Sequence, residues 1–106
     1  MATTTDFIEY VCEQLNGVGA IRYRKMFGEY TVYVEDKLVV TVCNNTAFVK
    51  MLPCIADLMH EAEIGKPYDS AKEHYVLDID NASFSKQIVE KLVEVTPLPK
   101  SKRRAG

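Results

Sequence analysis

Cysteine and histidine are the side chains that most often carry metal or nucleophilic chemistry. This chain has five of them: Cys12, Cys43, Cys54, His60 and His74. A metal needs ligands at short fixed separations, as in C-x-x-C, H-x-x-x-H or H-E-x-x-H. None of these spacings occurs. Cys54 and His60 stand six apart, which does not set them side by side on a helical face. The plainer reading is core thiols and surface imidazoles, with no catalytic group, no metal and no cofactor. Phosphate chemistry fares no better. Gly17 and Gly19 make a G-x-G, but the segment leaves a helix and enters a strand. A dinucleotide loop runs the other way, so that a helix N-terminus meets the pyrophosphate. The acid pairs Glu35/Asp36 and Asp78/Asp80 fall at turns or strand ends, where solvated carboxylates are common. A small-ligand or enzymatic site would need a cleft near Tyr33, His74 and Tyr75.

The cluster Arg22, Arg24, Lys25 is more informative, because Tyr23 and Phe27 interleave it. Bases and aromatic rings on a sheet hold a nucleic-acid strand by phosphate pairing and base stacking. Period two, however, puts Arg22 and Arg24 on one face and Tyr23 on the other. A solvent face of arginines over a core face of Ile21 and Tyr23 explains the same pattern. The C-terminal Lys100, Lys102, Arg103 and Arg104 add four bases, enough for weak, salt-sensitive contact with phosphates. Such endings also serve solubility alone.

Around these groups lies a chain of 106 residues, 47% hydrophobic and 26% charged, which fits one globular domain. No apolar run is long enough to span a membrane. The N-terminal residues do not read as a secretory signal, and three cysteines leave one unpaired in any disulfide scheme. Cytoplasmic location is the expectation. Thirteen bases against fifteen acids give a net charge of −2. Up to residue 96 there are nine bases and fifteen acids, a net of −6, while residues 97–106 carry +4. An acidic body repels polyanions over most of its surface.

Periodicity supplies the elements. Phe7, Ile8, Val11, Cys12 and Leu15 recur at helical spacing, with Thr3 as cap and Asn16-Gly17 as stop. Residues 21–26, 30–34, 38–43 and 47–51 read as four strands of a meander, the third apolar on both faces. Gly28 marks a bend, and Asn44-Asn45 a turn with access to positive φ. Pro53 opens a second helix with Ile55, Leu58, Met59 and Ala62 as its stripe. Gly65 to Tyr68 reads as a loop, and residues 74–79 as a fifth strand. A closing helix turns Phe84, Ile88, Leu92 and Val95 to the core. The expectation is an α+β domain over residues 1–96, an antiparallel sheet of about five strands with helices packed on one face, in the order α-β-β-β-β-α-β-α. A disordered basic tail over residues 97–106 completes it.

The run Arg24-Lys25-Met26-Phe27-Gly28-Glu29-Tyr30-Thr31-Val32-Tyr33 resembles the signature of the TfoX N-terminal domain, first domain of the Sxy/TfoX competence regulators. Leu38–Cys43, Ala47–Lys50, Gly65–Tyr68 and His74–Val76 are similar to the segments that follow in that family. The likeness covers roughly residues 6–100. It implies the same α+β order, a bacterial cytoplasm and a role in transcriptional control of competence genes. Full-length relatives carry a second, helical domain, for which this sequence shows no counterpart. Glu29 and Thr31 stand where the family usually has glycine. No catalytic residue carries over. Arg22, Arg24, Lys25, Phe27, Gly28 and Tyr30 are the candidate interaction surface. A protein partner or a second copy is the expected ligand, and weak nucleic-acid binding through Arg22, Arg24, Lys25 and the tail is the alternative.

Overall fold

The computed structural model describes residues 3–26, 29–67 and 70–96. In chain order its elements are α1 (Thr5–Gln14), β1 (Ile21–Met26), β2 (Glu29–Val34), β3 (Lys37–Cys43), β4 (Thr46–Lys50), α2 (Pro53–Ala56), β5 (Ile64–Gly65), β6 (His74–Val76) and α3 (Ala82–Val95). The strands form one antiparallel sheet in the order β1-β2-β3-β4-β6-β5. The expected α+β class and four-strand meander are present.

Two-residue connections explain the tight meander. Glu35 and Asp36 have φ of 54° and 65°, and Asn44 and Asn45 have 54° and 55°. Left-handed backbone at both central residues matches the right-handed twist of the strands they join. Asparagine tolerates this conformation well, whereas a carboxylate side chain gains less from it. Replacing Asp36 by glycine removes that strain and also an exposed ion pair with Arg22 at 3.1 Å. Exposed pairs contribute little, so Asp36→Gly should raise stability by about 0.5 kcal/mol in urea unfolding. A lower midpoint would show that the ion pair outweighs the backbone strain.

The core lies on one side of the sheet. Tyr30, Val32 and Val34 of β2 alternate with half-buried Glu29, Thr31 and Tyr33. Val40 and Val42 of β3, Val49 of β4 and Tyr75 of β6 continue the buried face. Against it pack Ile8 and Val11 of α1, Ile55 of α2, and Ile88, Val89 and Leu92 of α3. The helices share that face.

Several details differ from the expectation, each for a local reason. Thr4, not Thr3, caps α1 by accepting from the Phe7 N–H at 3.2 Å. Thr3 is instead spent on tertiary contacts, with Glu29 Oε1 at 3.2 Å and the Asn45 N–H at 3.2 Å. The helix begun at Pro53 gives way to turns after Ala56, although Met59 and Ala62 still pack against the core. There the Ala62 N–H bonds back three residues to Met59, and His60 Nδ1 lies 2.7 Å from the Asp57 carbonyl oxygen. Gly65, expected in a loop, instead joins Ile64 in a sixth strand that pairs with His74 and Tyr75, while Tyr68 lies outside the described residues. Val95 is 51% exposed, and the α3 stripe is completed by Ser85 and Val89 instead.

Candidate interaction surface

β1 stands at the open end of the sheet, with β2 its partner on one side. Its register is regular from Ile21↔Val34 to Met26↔Glu29. The Glu35 N–H donates to the Ala20 carbonyl at 2.9 Å, which closes the ladder beyond Ile21. Antiparallel bonding alternates residue by residue, so counting from that bond turns Arg22 and Arg24 toward β2. The N–H and C=O groups of Ile21, Tyr23 and Lys25 therefore point outward. Among the described residues they are the free rungs of the sheet.

Side chains along this edge divide between the two faces. Arg22 and Arg24 sit opposite Tyr33 and Thr31, on the face away from the helices. Tyr23 and Lys25 sit opposite Val32 and Tyr30, on the helix side. All four of these β1 side chains are exposed. Arg22 is already engaged: its Nε is 3.1 Å from Asp36 Oδ1, and its guanidinium lies 4.6 Å from the Tyr33 ring centroid. Arg24 and Lys25 have no ion-pair partner within 4 Å among the described residues. Tyr23, 40% exposed, meets Tyr30 edge-on with ring centroids 5.5 Å apart.

The family motif thus separates into roles. Arg22, Tyr23, Arg24 and Lys25 form a surface. Tyr30 is buried, and serves that surface as the ring on which Tyr23 leans rather than as a contact itself. Phe27, Gly28, Lys100, Lys102, Arg103 and Arg104 lie outside the described residues. The sequence reading did not find a role for Glu29. Its carboxylate accepts from Thr3 Oγ1 at 3.2 Å and from the Asn44 N–H at 3.3 Å, tying β2 to the N-terminal segment and the β3–β4 turn.

The remaining sequence candidates are dispersed. Tyr33 and His74 lie on strands separated by β3 and β4, about 14 Å at sheet spacing, and Tyr75 faces the helix side. Cys43 is buried, and desolvation, with Glu29 beside it, pushes its thiol up to about 11. Cys12 is raised too, chiefly by burial. Neither is a poised nucleophile. No group of three potential metal ligands occurs among the described residues.

An open cleft of about 680 Å³ does exist, at the other end of the sheet. Phe7, Leu58, Met59 and Leu77 line it, and Glu61, Glu63, Asp78 and Asp80 stand around it. Its residues come from four separated stretches of chain, which hid it from the sequence. Tyr10 donates to Asp80 at 2.5 Å beside the cleft. That hydrogen bond, then burial and the nearby carboxylates Asp80 and Asp78, pushes the Tyr10 hydroxyl above the usual tyrosine range. A raised acid contributes stability that is present below its unfolded pKa and lost as pH climbs through the folded one. Tyr10→Phe should therefore lower the thermal midpoint at pH 7, and the gap from the wild type should close above pH 10. A gap independent of pH would mean that the hydroxyl contact is not what is lost.

The arrangement defines a small α+β module: one antiparallel sheet, helices on one face, and a basic open edge. The chain belongs to the TfoX N-terminal domain family, whose profile matches residues 13–95. It is also similar to an uncharacterised 12.7 kDa protein from the trpE 5′ region of Spirochaeta aurantia. Identity is 30% over 105 residues, covering 97% of this chain and 91% of that protein.

Proposed function

We propose that this protein is a non-enzymatic regulatory module that works by protein–protein contact, with β1 as its docking strand. One observation carries the reading: the most recognisable stretch of the family signature begins on the open edge of the sheet. An edge strand offers unpaired backbone, and adding a strand is a general way for one protein to seize another. Control of transcription, which the resemblance implies, is the process in which we place it. The three free thiols support a reducing, cytoplasmic setting.

Photocrosslinking tests this directly. A photoreactive phenylalanine at position 23 should give discrete protein adducts in cells, and the same probe at position 90, on exposed α3 surface, should not. Equal adducts from both positions would overturn the docking strand.

A second reading has one observation in its favour. Register places Tyr33 between the arginine-bearing edge and the rest of the sheet, on the same face as Arg22 and Arg24. The alternation of Tyr23 thus no longer separates bases from rings. Against it, Asp36 already neutralises Arg22. An amide NMR titration with short single-stranded and duplex DNA at physiological salt decides between them: shifts across residues 22–30 would establish nucleic-acid binding.

A further inference from the structure

We infer that the segment received by β1 is extended and acidic, and that it is not β1 of a second copy; this rests on the docking-strand reading above. The backbone sets the first requirement. Outward N–H and C=O groups on Ile21, Tyr23 and Lys25 ask for a partner strand whose own groups alternate at the same repeat. Any extended chain can satisfy them. Choice must come from side chains.

A strand added beside β1 lies about 4.8 Å away, with facing Cβ atoms about 5 Å apart. At that distance it meets Arg24 on one face and Lys25 on the other, both exposed and without an ion-pair partner among the described residues. Carboxylates at two consecutive positions of the partner would answer both. The next position, opposite the half-exposed Tyr23 ring, favours an apolar residue. Elsewhere the body of the molecule carries net negative charge and repels such a segment, which confines it to this edge.

Self-pairing fails on the same charges. An antiparallel β1 pair must keep side chains of one face together. Centred on Tyr23, it sets Arg22 of each copy against Arg24 of the other. Centred on Arg22, Arg24 or Lys25, it sets that residue against itself, and centring on Ile21 or Met26 avoids this only by pairing the ends of the strand. Like charges directly opposite destabilise a strand pair. The bases that keep two copies apart are the ones that an acidic strand would neutralise.

The test uses the full-length labelled protein at about 0.15 M salt, with three probes: a short capped peptide of glutamate and valine, its lysine–valine counterpart, and an oligothymidylate. The readout is amide hydrogen exchange. At tenfold excess over its Kd, the glutamate peptide should slow exchange at Tyr23 and Lys25 by about tenfold. Arg22 and Arg24, already bonded to β2, should change little. The pair Arg24→Glu/Lys25→Glu should weaken the glutamate peptide by about tenfold and make the lysine peptide the better ligand. Lys25→Pro removes an outward N–H without touching a β1–β2 bond, and should weaken both peptides. Unchanged amide shifts in β3 and β4 certify the fold of each variant.

Equal protection by both peptides would overturn acid selection while leaving β1 a docking strand. Protection that rises with protein concentration alone would make the second copy its occupant. Preferential protection by oligothymidylate would move the ligand class to nucleic acid. If no probe protects Tyr23 and Lys25, the inference falls, and crosslinking from position 23 separately decides whether the docking strand falls with it.

Discussion

Replacing Ile88 by alanine should lower the unfolding free energy by about 3 kcal/mol, whereas Val95→Ala should change it by no more than about 0.5 kcal/mol. Both residues lie on α3, two turns apart, and both are branched aliphatics. Ile88 is fully buried, while Val95 is half exposed. Truncating a buried isoleucine forfeits its transfer free energy and leaves a cavity in a packed interior. Truncating an exposed valine removes surface that water already touches. Urea unfolding of the two variants checks the phase of α3 as well as its burial. The apolar pattern Phe84, Ile88, Leu92, Val95 would make Val95 costly; the stripe Ser85, Ile88, Val89, Leu92 makes it cheap. Comparable losses from both substitutions would contradict the helix orientation described above. Against a typical total of about 5–15 kcal/mol, a loss of 3 is easily resolved.

The phase of α3 is not written in its apolar pattern alone. Val95 continues an apolar series, but it falls on the exposed side of the last turn of α3, where Leu92 and Val93 are the residues that meet the core. Ser85 looks polar, yet it is fully buried because its Oγ donates to the Asp78 carbonyl at 2.9 Å. Its partner lies seven residues earlier, outside any helical period. The meander, by contrast, was legible. Alternation in residues 30–34 and the left-handed tendency of Asn44-Asn45 are local properties, and local properties survive folding unchanged. β5 was not legible, since two residues carry no period and Ile64-Gly65 is a strand only because β6 lies beside it.

The candidate surface shows the same division. That Arg22 and Arg24 share a face follows from period two. That Tyr33 joins them depends on the register Arg22↔Tyr33, and that β1 is an edge depends on strand order. Both are tertiary facts. A mixed cluster on one strand therefore suggested nucleic acid or plain solvation, while the open ladder that favours a partner strand stayed invisible. The acidic cleft was hidden for the reason that hides most concave sites, assembly from distant segments.

Gly19→Ala should cost about 3 kcal/mol, with an effect on the docking strand beyond stability. Gly19 has φ of +146°, a conformation that side chains resist. A Cβ there would stand 2.8 Å from Glu35 Oε2 and 3.0 Å from Val34 Cγ1. That carboxylate oxygen is the acceptor for the Ala20 N–H at 2.7 Å. The added methyl group therefore collides with the group that satisfies the next residue's backbone. Gly17→Ala is the control: its φ of +107° imposes backbone strain, but no atom lies within 4 Å of the new methyl. It should cost about 1–2 kcal/mol. If the collision with Glu35 makes the difference, Glu35→Ala in the Gly19→Ala background should cost less than its value in the wild type, by about 1 kcal/mol in a double-mutant cycle. Simple additivity would remove the collision from the account and leave backbone strain alone. The consequence for β1 follows from position. Ala20 and Glu35 make the closing bond from which the inward and outward rungs of β1 are counted. Loosening it should speed amide exchange at Arg22, the first inward rung, while Tyr23 and Lys25, already outward, have little protection to lose. A rigid edge presents its free rungs to a partner at no ordering cost, so Gly19→Ala should also weaken the glutamate peptide at β1 even though residue 19 never touches it.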